Sequence, residues 1–342
     1  MAMRRYRALL AGVLAVALIG AAAGCSDSTA EPAAAGGDSA KTDKVTYLTA
    51  FGAVGRDAFA WVAQEKGYFK EAGLDVTIQL GAATGENLKG LAAGQAQFAN
   101  LDLIGAWILA GKGDYKDFRT IAAIHQQSLV SIVALEGAGI TSPKDLEGKK
   151  VGAATGSVNQ LLFPAYAKLA GIDPAKIQWV NAQPPQLPAL LAGGQVQALS
   201  TFLIGTKGIE KAAGGKKTVV LPYSKYLGDL YGNGIITTAR IAKENPDLAR
   251  RFRDASLKAL KYTIEHPDEA AQILKKAQPA ADVTAAVGEI TLMTPYVGSG
   301  GTLGSMDEER VARAIATLQA GGLIPAGLTP DAVVDFGLTP KA

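Results

Sequence analysis

The sequence is nearly without cysteine and histidine. Of 342 residues only Cys25 is a cysteine, and only His125 and His266 are histidines. One Cys excludes a disulfide framework, a Cys-rich zinc site and an iron–sulfur cluster. Two His exclude a His-rich metal centre, so neither a metal nor another cofactor is expected. An excess of one charge is missing as well. Lys and Arg total 34 against 31 Asp and Glu, and Arg4, Arg5 and Arg7 lie in the first 24 residues, which hold no acid. Without those three the signs balance, so nucleic acid, which needs a clustered basic face, is not expected as a partner. Catalytic motifs are missing too. Gly111-Lys112 is followed by Gly113 and Gly156-Ser157 lacks a lysine, so neither makes a phosphate-binding loop. No serine fits a nucleophile elbow, and neither His stands in a zinc-protease motif. The acids sit singly at turns and helix starts. No catalytic constellation emerges, and an enzyme is not expected.

Apolar residues are plentiful, at 48% against 19% charged, so most of the chain is able to bury a core. The longest apolar run, Ala8 to Ala23, follows a short basic start and stops at Gly24-Cys25. It is shorter than the roughly 20 residues a membrane span needs, and its flanks are those of a secretory signal. Residues 1–24 are therefore expected to be a signal peptide. The sole cysteine follows at once, in Ala22-Ala23-Gly24-Cys25. This resembles a bacterial lipobox, with Ala22 where a larger aliphatic residue is usual. A lipid on Cys25 and a flexible tether over 25–43, rich in Ala, Gly, Ser and Thr, are expected. The chain would then be secreted across the cytoplasmic membrane and lipid-anchored on its outer face.

From Lys44 onward strand and helix patterns alternate. Strands are expected at Val45–Thr49, Leu74–Leu80, Phe118–Ile124, Leu129–Leu135, Lys150–Ala153, Ile177–Val180, Ala198–Thr201 and Thr218–Leu221. Helices are expected at Asp57–Ala72, Glu86–Ala93, Leu103–Ala110, Val158–Ala170 and Gln186–Ala192. Such alternation implies an α/β fold. The sequence also echoes itself. Ala72-Gly73-Leu74-Asp75 returns as Ala170-Gly171-Ile172-Asp173, Gly94-Gln95-Ala96-Gln97 as Gly194-Gln195-Val196-Gln197, and Leu103-Ile104-Gly105 as Leu203-Ile204-Gly205. The nearly constant offset of about 100 residues implies two similar three-layer α/β lobes, too few copies for a solenoid. Beyond Asn245-Pro246 the pattern is helical, with Asp247–Glu265, Asp268–Ala277, Asp282–Leu292 and Met306–Ala320. Asn245 is an expected N-cap, and Ser305 with Glu308 an expected capping box. This tail should pack as a helical cluster on lobe 1. Lobe 1 is expected to be 44–131 plus 234–342, and lobe 2 to be 132–233. Two crossing segments would join them, and Tyr231-Gly232-Asn233-Gly234 suits a hinge.

Two segments carry a family resemblance. Ala63-Gln64-Glu65-Lys66-Gly67-Tyr68-Phe69-Lys70-Glu71-Ala72-Gly73-Leu74-Asp75-Val76-Thr77-Ile78 is one, and Ser142-Pro143-Lys144-Asp145-Leu146-Glu147-Gly148-Lys149-Lys150-Val151-Gly152 is the other. Both resemble the type II periplasmic-binding-protein-like solute-binding proteins of ABC importers for nitrate, sulfonates, taurine and thiamine pyrimidines. The resemblance runs from about Val45 to Thr238. It implies two lobes with a small-molecule ligand in the cleft, a membrane permease and a separate ATPase as partners, and a monomeric chain. The family usually has Asp where Gln97 and Gln197 stand, and often Trp where Phe51 stands. Two alternatives share the fold: an enzyme of thiamine pyrimidine synthesis and a sensor lipoprotein. The enzyme of that family relies on a Cys-rich stretch that this sequence lacks.

Ligands of open α/β sheets sit beyond the carboxyl ends of strands, against helix N-termini. In lobe 1 this selects Phe51, Arg56 and Asp57 after the first strand, Thr84, Gly85 and Glu86 after the second, and Asn100 and Asp102 after the third. In lobe 2 it selects Thr155, Gly156 and Ser157, the place where the family binds its ligand, together with Gln183 and Thr201. Gln127, Tyr231 and Asn233 join them from the crossings. Phe51 offers stacking and Arg56 a charged fork, while amides, hydroxyls and acids complete the set. That mixture favours a thiamine-type pyrimidine over a sulfonate. Trp61, Trp107 and Trp179 are expected in the core.

Overall fold

The computed structural model describes residues 42–298 and 301–341. The expected signal peptide, Cys25 and nearly all of the expected tether lie outside the described residues. The first lobe begins with β1 (Asp43–Leu48), α1 (Ala58–Glu65), α2 (Tyr68–Glu71) and β2 (Leu74–Gln79). It continues with α3 (Thr84–Ala92), β3 (Phe98–Asp102), α4 (Leu103–Gly111) and β4 (Phe118–Ala123). The second lobe holds β5 (Val130–Leu135), β6 (Lys150–Ala154), α5 (Val158–Ala170) and β7 (Gln178–Ala182), then α6 (Leu187–Ala192), β8 (Ala198–Phe202), α7 (Thr206–Ala212) and β9 (Thr218–Pro222). The chain returns through β10 (Asn233–Thr238) and ends in α8 (Ala239–Glu244), α9 (Pro246–Glu265), α10 (Pro267–Ala277), α11 (Val283–Met293), α12 (Glu308–Ala320) and α13 (Pro330–Val333).

The two sheets repeat one plan. The first has the order β2-β1-β3-β10-β4 and the second β7-β6-β8-β5-β9. In each, three parallel strands are followed by an antiparallel strand belonging to a crossing: β10 against β3, and β5 against β8. The echo in the sequence is an echo in hydrogen bonding. The Gln97 side chain accepts from Thr46 N–H at 2.8 Å, and the Gln197 side chain accepts from Lys150 N–H at 3.0 Å. Each glutamine thus ties the start of one strand to its neighbour in the same way, and residues 91–100 and 191–200 share one pattern of burial. The two glutamines hold their sheets together rather than a ligand.

The crossing segments are bonded to each other. Ser128 N–H donates to Leu230 C=O at 2.8 Å, and Gly232 N–H to His125 C=O at 3.0 Å. Gly232 is required by closeness: a Cβ there would lie 2.7 Å from Gln127 C=O and 2.8 Å from the His125 side chain. The helical tail docks on lobe 1 through α9. Phe252 stacks on Phe98 with ring centroids 3.9 Å apart and on Phe69 at 5.5 Å. Arg251 bonds Asp43 at 2.6 Å and Ala72 C=O at 2.9 Å. Burying a Phe contributes about 1.5–3 kcal/mol, so this stack outweighs the half-exposed ion pair beside it. The tail also reaches lobe 2. α11 packs on both the Gly55–Asp57 turn of lobe 1 and α7 of lobe 2.

Several expected details differ. The single helix expected over Asp57–Ala72 is two, because Gly67 adopts φ +75 and ends α1. Asp57 stands at the N-cap of α1, but its side chain makes no cap bond and turns into the core. The last long helix is capped by Asp307, which accepts from Arg310 N–H at 2.7 Å, so Ser305 forms no capping box. Asn245 does cap α9, accepting from Leu248 N–H at 3.2 Å. Tyr231 is no loose hinge residue, since its ring is buried edge-on to Trp107 and lies 4.0 Å below the Arg310 guanidinium. Trp61 and Trp107 are buried, as expected, whereas Trp179 is half-buried against Phe163.

Candidate functional site

The carboxyl ends of β1 and β3 and the N-termini of α3 and α5 meet where the two lobes face each other. Gly105, at the start of α4, permits the approach: a Cβ there would stand 3.0 Å from Val158 of α5. Between the lobes lies a small cavity of about 20 Å³. Lobe 1 gives it Phe51, Arg56, Thr84 and Asp102, lobe 2 gives Ser157 and Phe202, and Asn233 closes it from β10.

The polar groups here are held but not satisfied. Asp102 caps α4, one oxygen accepting from Gly105 N–H at 3.0 Å, while its Oδ2 is buried with no partner among the described residues. Ser157 precedes α5 yet makes no cap bond, and its buried Oγ has no partner among the described residues. Arg56 is 4% exposed, and its Nε has no hydrogen-bond partner among the described residues, with Asp57 Oδ2 at 4.0 Å. Its guanidinium lies 5.2 Å from the Phe51 ring centroid and 4.5 Å from that of Phe202. Buried polar groups are nearly always bonded, and each free one costs about 1–3 kcal/mol. Three such groups from two lobes around one cavity are what a polar ligand would satisfy.

Burial sets the protonation. Desolvation raises the Asp102 carboxyl to about 7, opposed by the Gly105 and Ile104 N–H groups and by Arg56. It also raises Asp57 and Glu289, against the pull of Arg56. Desolvation, with Arg56 adding to it, lowers His125 to about 3, so the imidazole is neutral. Its Nδ1 accepts from Asn233 N–H at 3.4 Å and its Nε2 is free.

A second cavity, of about 280 Å³, shares Phe51, Arg56 and Phe202 with the first. Its walls are mainly apolar, and Thr201 and Glu289 are the polar additions to Arg56. Of the site residues expected from sequence, Phe51, Arg56, Thr84, Asp102, Ser157 and Asn233 meet in the first cavity and Thr201 in the second. The others do not line either. Asp57 and Asn100 are spent on each other: Asn100 donates to Asp57 at 2.8 Å, and Asp57 also accepts from Ala50 N–H at 2.9 Å. Glu86, Gln127, Thr155, Gly156 and Gln183 are exposed, and Gly85 lies on α3 with Leu109 as its neighbour. Gln183 is occupied in a capping box with Gln186. Tyr231 is packed as described above. Phe202 and Glu289 were not expected. Phe202 is the last residue of β8 and was legible from the strand-end rule. Glu289 lies on a C-terminal helix, and no local signal links it to Arg56, 233 residues away. Among the described residues no group of acids, His or Cys is placed to hold a metal, and no helix is long and apolar enough to cross a membrane.

Two mixed-sheet α/β lobes with unsatisfied polar groups between them define the architecture of a periplasmic binding protein. The chain belongs to the NMT1/THI5-like family, whose model matches residues 57–270. It is 23% identical over 287 residues to the riboflavin-binding protein RibY of Chloroflexus aurantiacus, covering 82% of this chain and 81% of that one. It is 26% identical over 225 residues to the formylaminopyrimidine-binding protein of Halalkalibacterium halodurans, covering 66% and 67%. Its fold is similar to that of the alkanesulfonate-binding protein SsuA of Xanthomonas axonopodis pv. citri bound to MOPS. The TM-score is 0.68 and the identity 14%, covering 87% of this chain and 98% of the other.

Proposed function

We propose that this chain is the extracytoplasmic solute-binding component of an ABC importer. It captures a small polar molecule between its lobes, without converting it, and delivers it to a permease driven by a separate ATPase. The observation that carries this is the set of buried, unpartnered atoms, Arg56 Nε and Asp102 Oδ2 from lobe 1 and Ser157 Oγ from lobe 2. The names of the relatives support small-molecule binding. In this reading the lobes divide at about 131 and 234, residues 1–24 are removed, and a lipid on Cys25 anchors a monomer outside the membrane.

The charge around Arg56 favours a neutral nitrogen heterocycle of the thiamine-pyrimidine class over a sulfonate. One guanidinium faces Asp57, Asp102 and Glu289. An incoming oxyanion would meet those acids, and the first cavity has no second cation. An aminopyrimidine would donate its amino group to Asp102 and accept from Ser157 or Arg56, with its ring against Phe51 and Phe202. The test is a thermal-shift screen of the mature chain against pyrimidines, flavins, sulfonates and nitrate. A ligand at 100 times its dissociation constant should add about 2.7 kcal/mol of stability. Stabilisation by a pyrimidine, recovered unchanged by mass spectrometry, is the expected result. Stabilisation by sulfonates alone would reject the ligand class, and chemical turnover would reject the binding role in favour of the enzyme.

A further inference from the structure

The first cavity is too small to be the whole site. Its volume of about 20 Å³ is room for about one water. The adjoining cavity, at about 280 Å³, approaches the roughly 300–1,000 Å³ of ordinary ligand pockets. Only the Phe51 and Phe202 rings, edge-on with centroids 6.5 Å apart, and the Arg56 side chain are shared between the two. The far wall is rigid and apolar, built by Pro184, Pro185 and Pro188 at the start of α6, by Leu199 of β8 and by Ile209 of α7. Proline rings preset such a surface, because their φ is fixed before any ligand arrives.

One acid interrupts that wall. Glu289 of α11 accepts from Arg56 N–H at 3.2 Å, and among the described residues it forms no ion pair with a cationic side chain. The carboxylate within ion-pair distance of Arg56 is Asp57, with Oδ2 4.0 Å from Nε. Arg56 draws on this half-buried carboxylate without coming within ion-pair distance of it, so a cation brought closer by a ligand would favour its ionised form further.

We propose that this second cavity is a subsite for an apolar arm of the ligand ending in an ammonium group, with Glu289 as the residue that selects for it. This rests on the heterocycle reading for the head group alone. The ligand is then a planar nitrogen base with a short hydrocarbon arm and a cationic tip. The base lies toward Asp102 and Ser157, and the arm runs past Phe51 and Phe202 onto the prolines.

The test is calorimetric titration of the mature chain with four probes: 4-amino-2-methylpyrimidine, its 5-propyl derivative, its 5-(3-aminopropyl) derivative, and n-butylammonium. The propyl arm should tighten binding at least tenfold over the parent base, and the terminal amine at least tenfold more. Glu289→Gln should abolish the gain from the amine and leave the gain from propyl. Gly208→Leu, which places a side chain at the wall of the cavity where a Cβ has only Ala285 nearby at 4.0 Å, should abolish both gains and spare the parent base. Both variants should melt within a few degrees of the parent protein. Weak binding of butylammonium that depends on Glu289, with no binding of any pyrimidine, would uphold the subsite and overturn the head-group reading. An aminopropyl probe that binds no better than the propyl one, or equally well to Glu289→Gln, would overturn the proposal.

Discussion

Asp102 and His125 titrate in reversed order. Burial raises the carboxyl to about 7 and lowers the imidazole to about 3. In the unfolded chain they would titrate near about 3.9 and 6.5. Between those values the folded protein holds a proton on Asp102 that the unfolded chain releases, so this group's contribution falls as pH rises toward 7. His125 works the other way: the unfolded chain takes up a proton that the folded protein refuses, so its contribution rises as pH climbs through 6.5. From about pH 4 to 6.5 the two slopes oppose each other. Asp102→Asn should therefore gain stability over the parent as pH rises from 4 to 7, by up to about 4 kcal/mol. His125→Gln should lose stability relative to the parent over the same range. Urea denaturation at pH 4, 5.5 and 7 measures both, and two variants that run parallel to the parent would refute the assignment.

At the scale of elements, α11 is the piece that bridges the two lobes beside the cleft. It follows an Asp282 cap that also pairs with Lys211 of α7, and it brings Glu289 to Arg56. Its seat on lobe 1 is Gly55, where a Cβ would fall 2.3 Å from Ala286 C=O. No side chain fits there without moving the helix. Gly55→Ala should cost about 1–3 kcal/mol as a steric insertion and weaken ligand binding at least tenfold. Calorimetry on the folded variant checks this, and unchanged affinity would separate α11 from the site. Local pattern made most elements legible: α5 spans Val158–Ala170 as the periodicity implies, and the Gln97 and Gln197 echo marks equivalent strands. β10 was hidden, because Asn233-Gly234 looks like a hinge until β3 and β4 claim it on both sides. Asp57, expected among the ligand contacts, is bonded inside lobe 1 for a similar reason. A helix-start acid caps or faces solvent by default, and only tertiary packing turns this one onto Ala50 and Asn100. Strand-end logic selects Arg56, Asp102 and Ser157, which line one cavity, while Glu289 depends on a contact across 233 residues that no local rule encodes.

At the scale of the molecule, two lobes of one plan are joined by paired crossings and bridged by α11, with the unsatisfied groups divided between them. A ligand that touches both lobes favours closure, because only contact that differs between the open and closed states shifts that equilibrium. Ser157 lines the lobe 2 side of the cavity, so Ser157→Phe should prop the cleft open with lobe 1 untouched. The most direct measurement is small-angle X-ray scattering of the mature chain, with and without a saturating ligand from the thermal-shift screen, on the parent and on Ser157→Phe. The account predicts a smaller radius of gyration with ligand for the parent, and a larger, ligand-insensitive radius for the variant. A ligand that binds tightly while the parent's radius stays fixed and Ser157→Phe binds it equally well would contradict capture between the lobes.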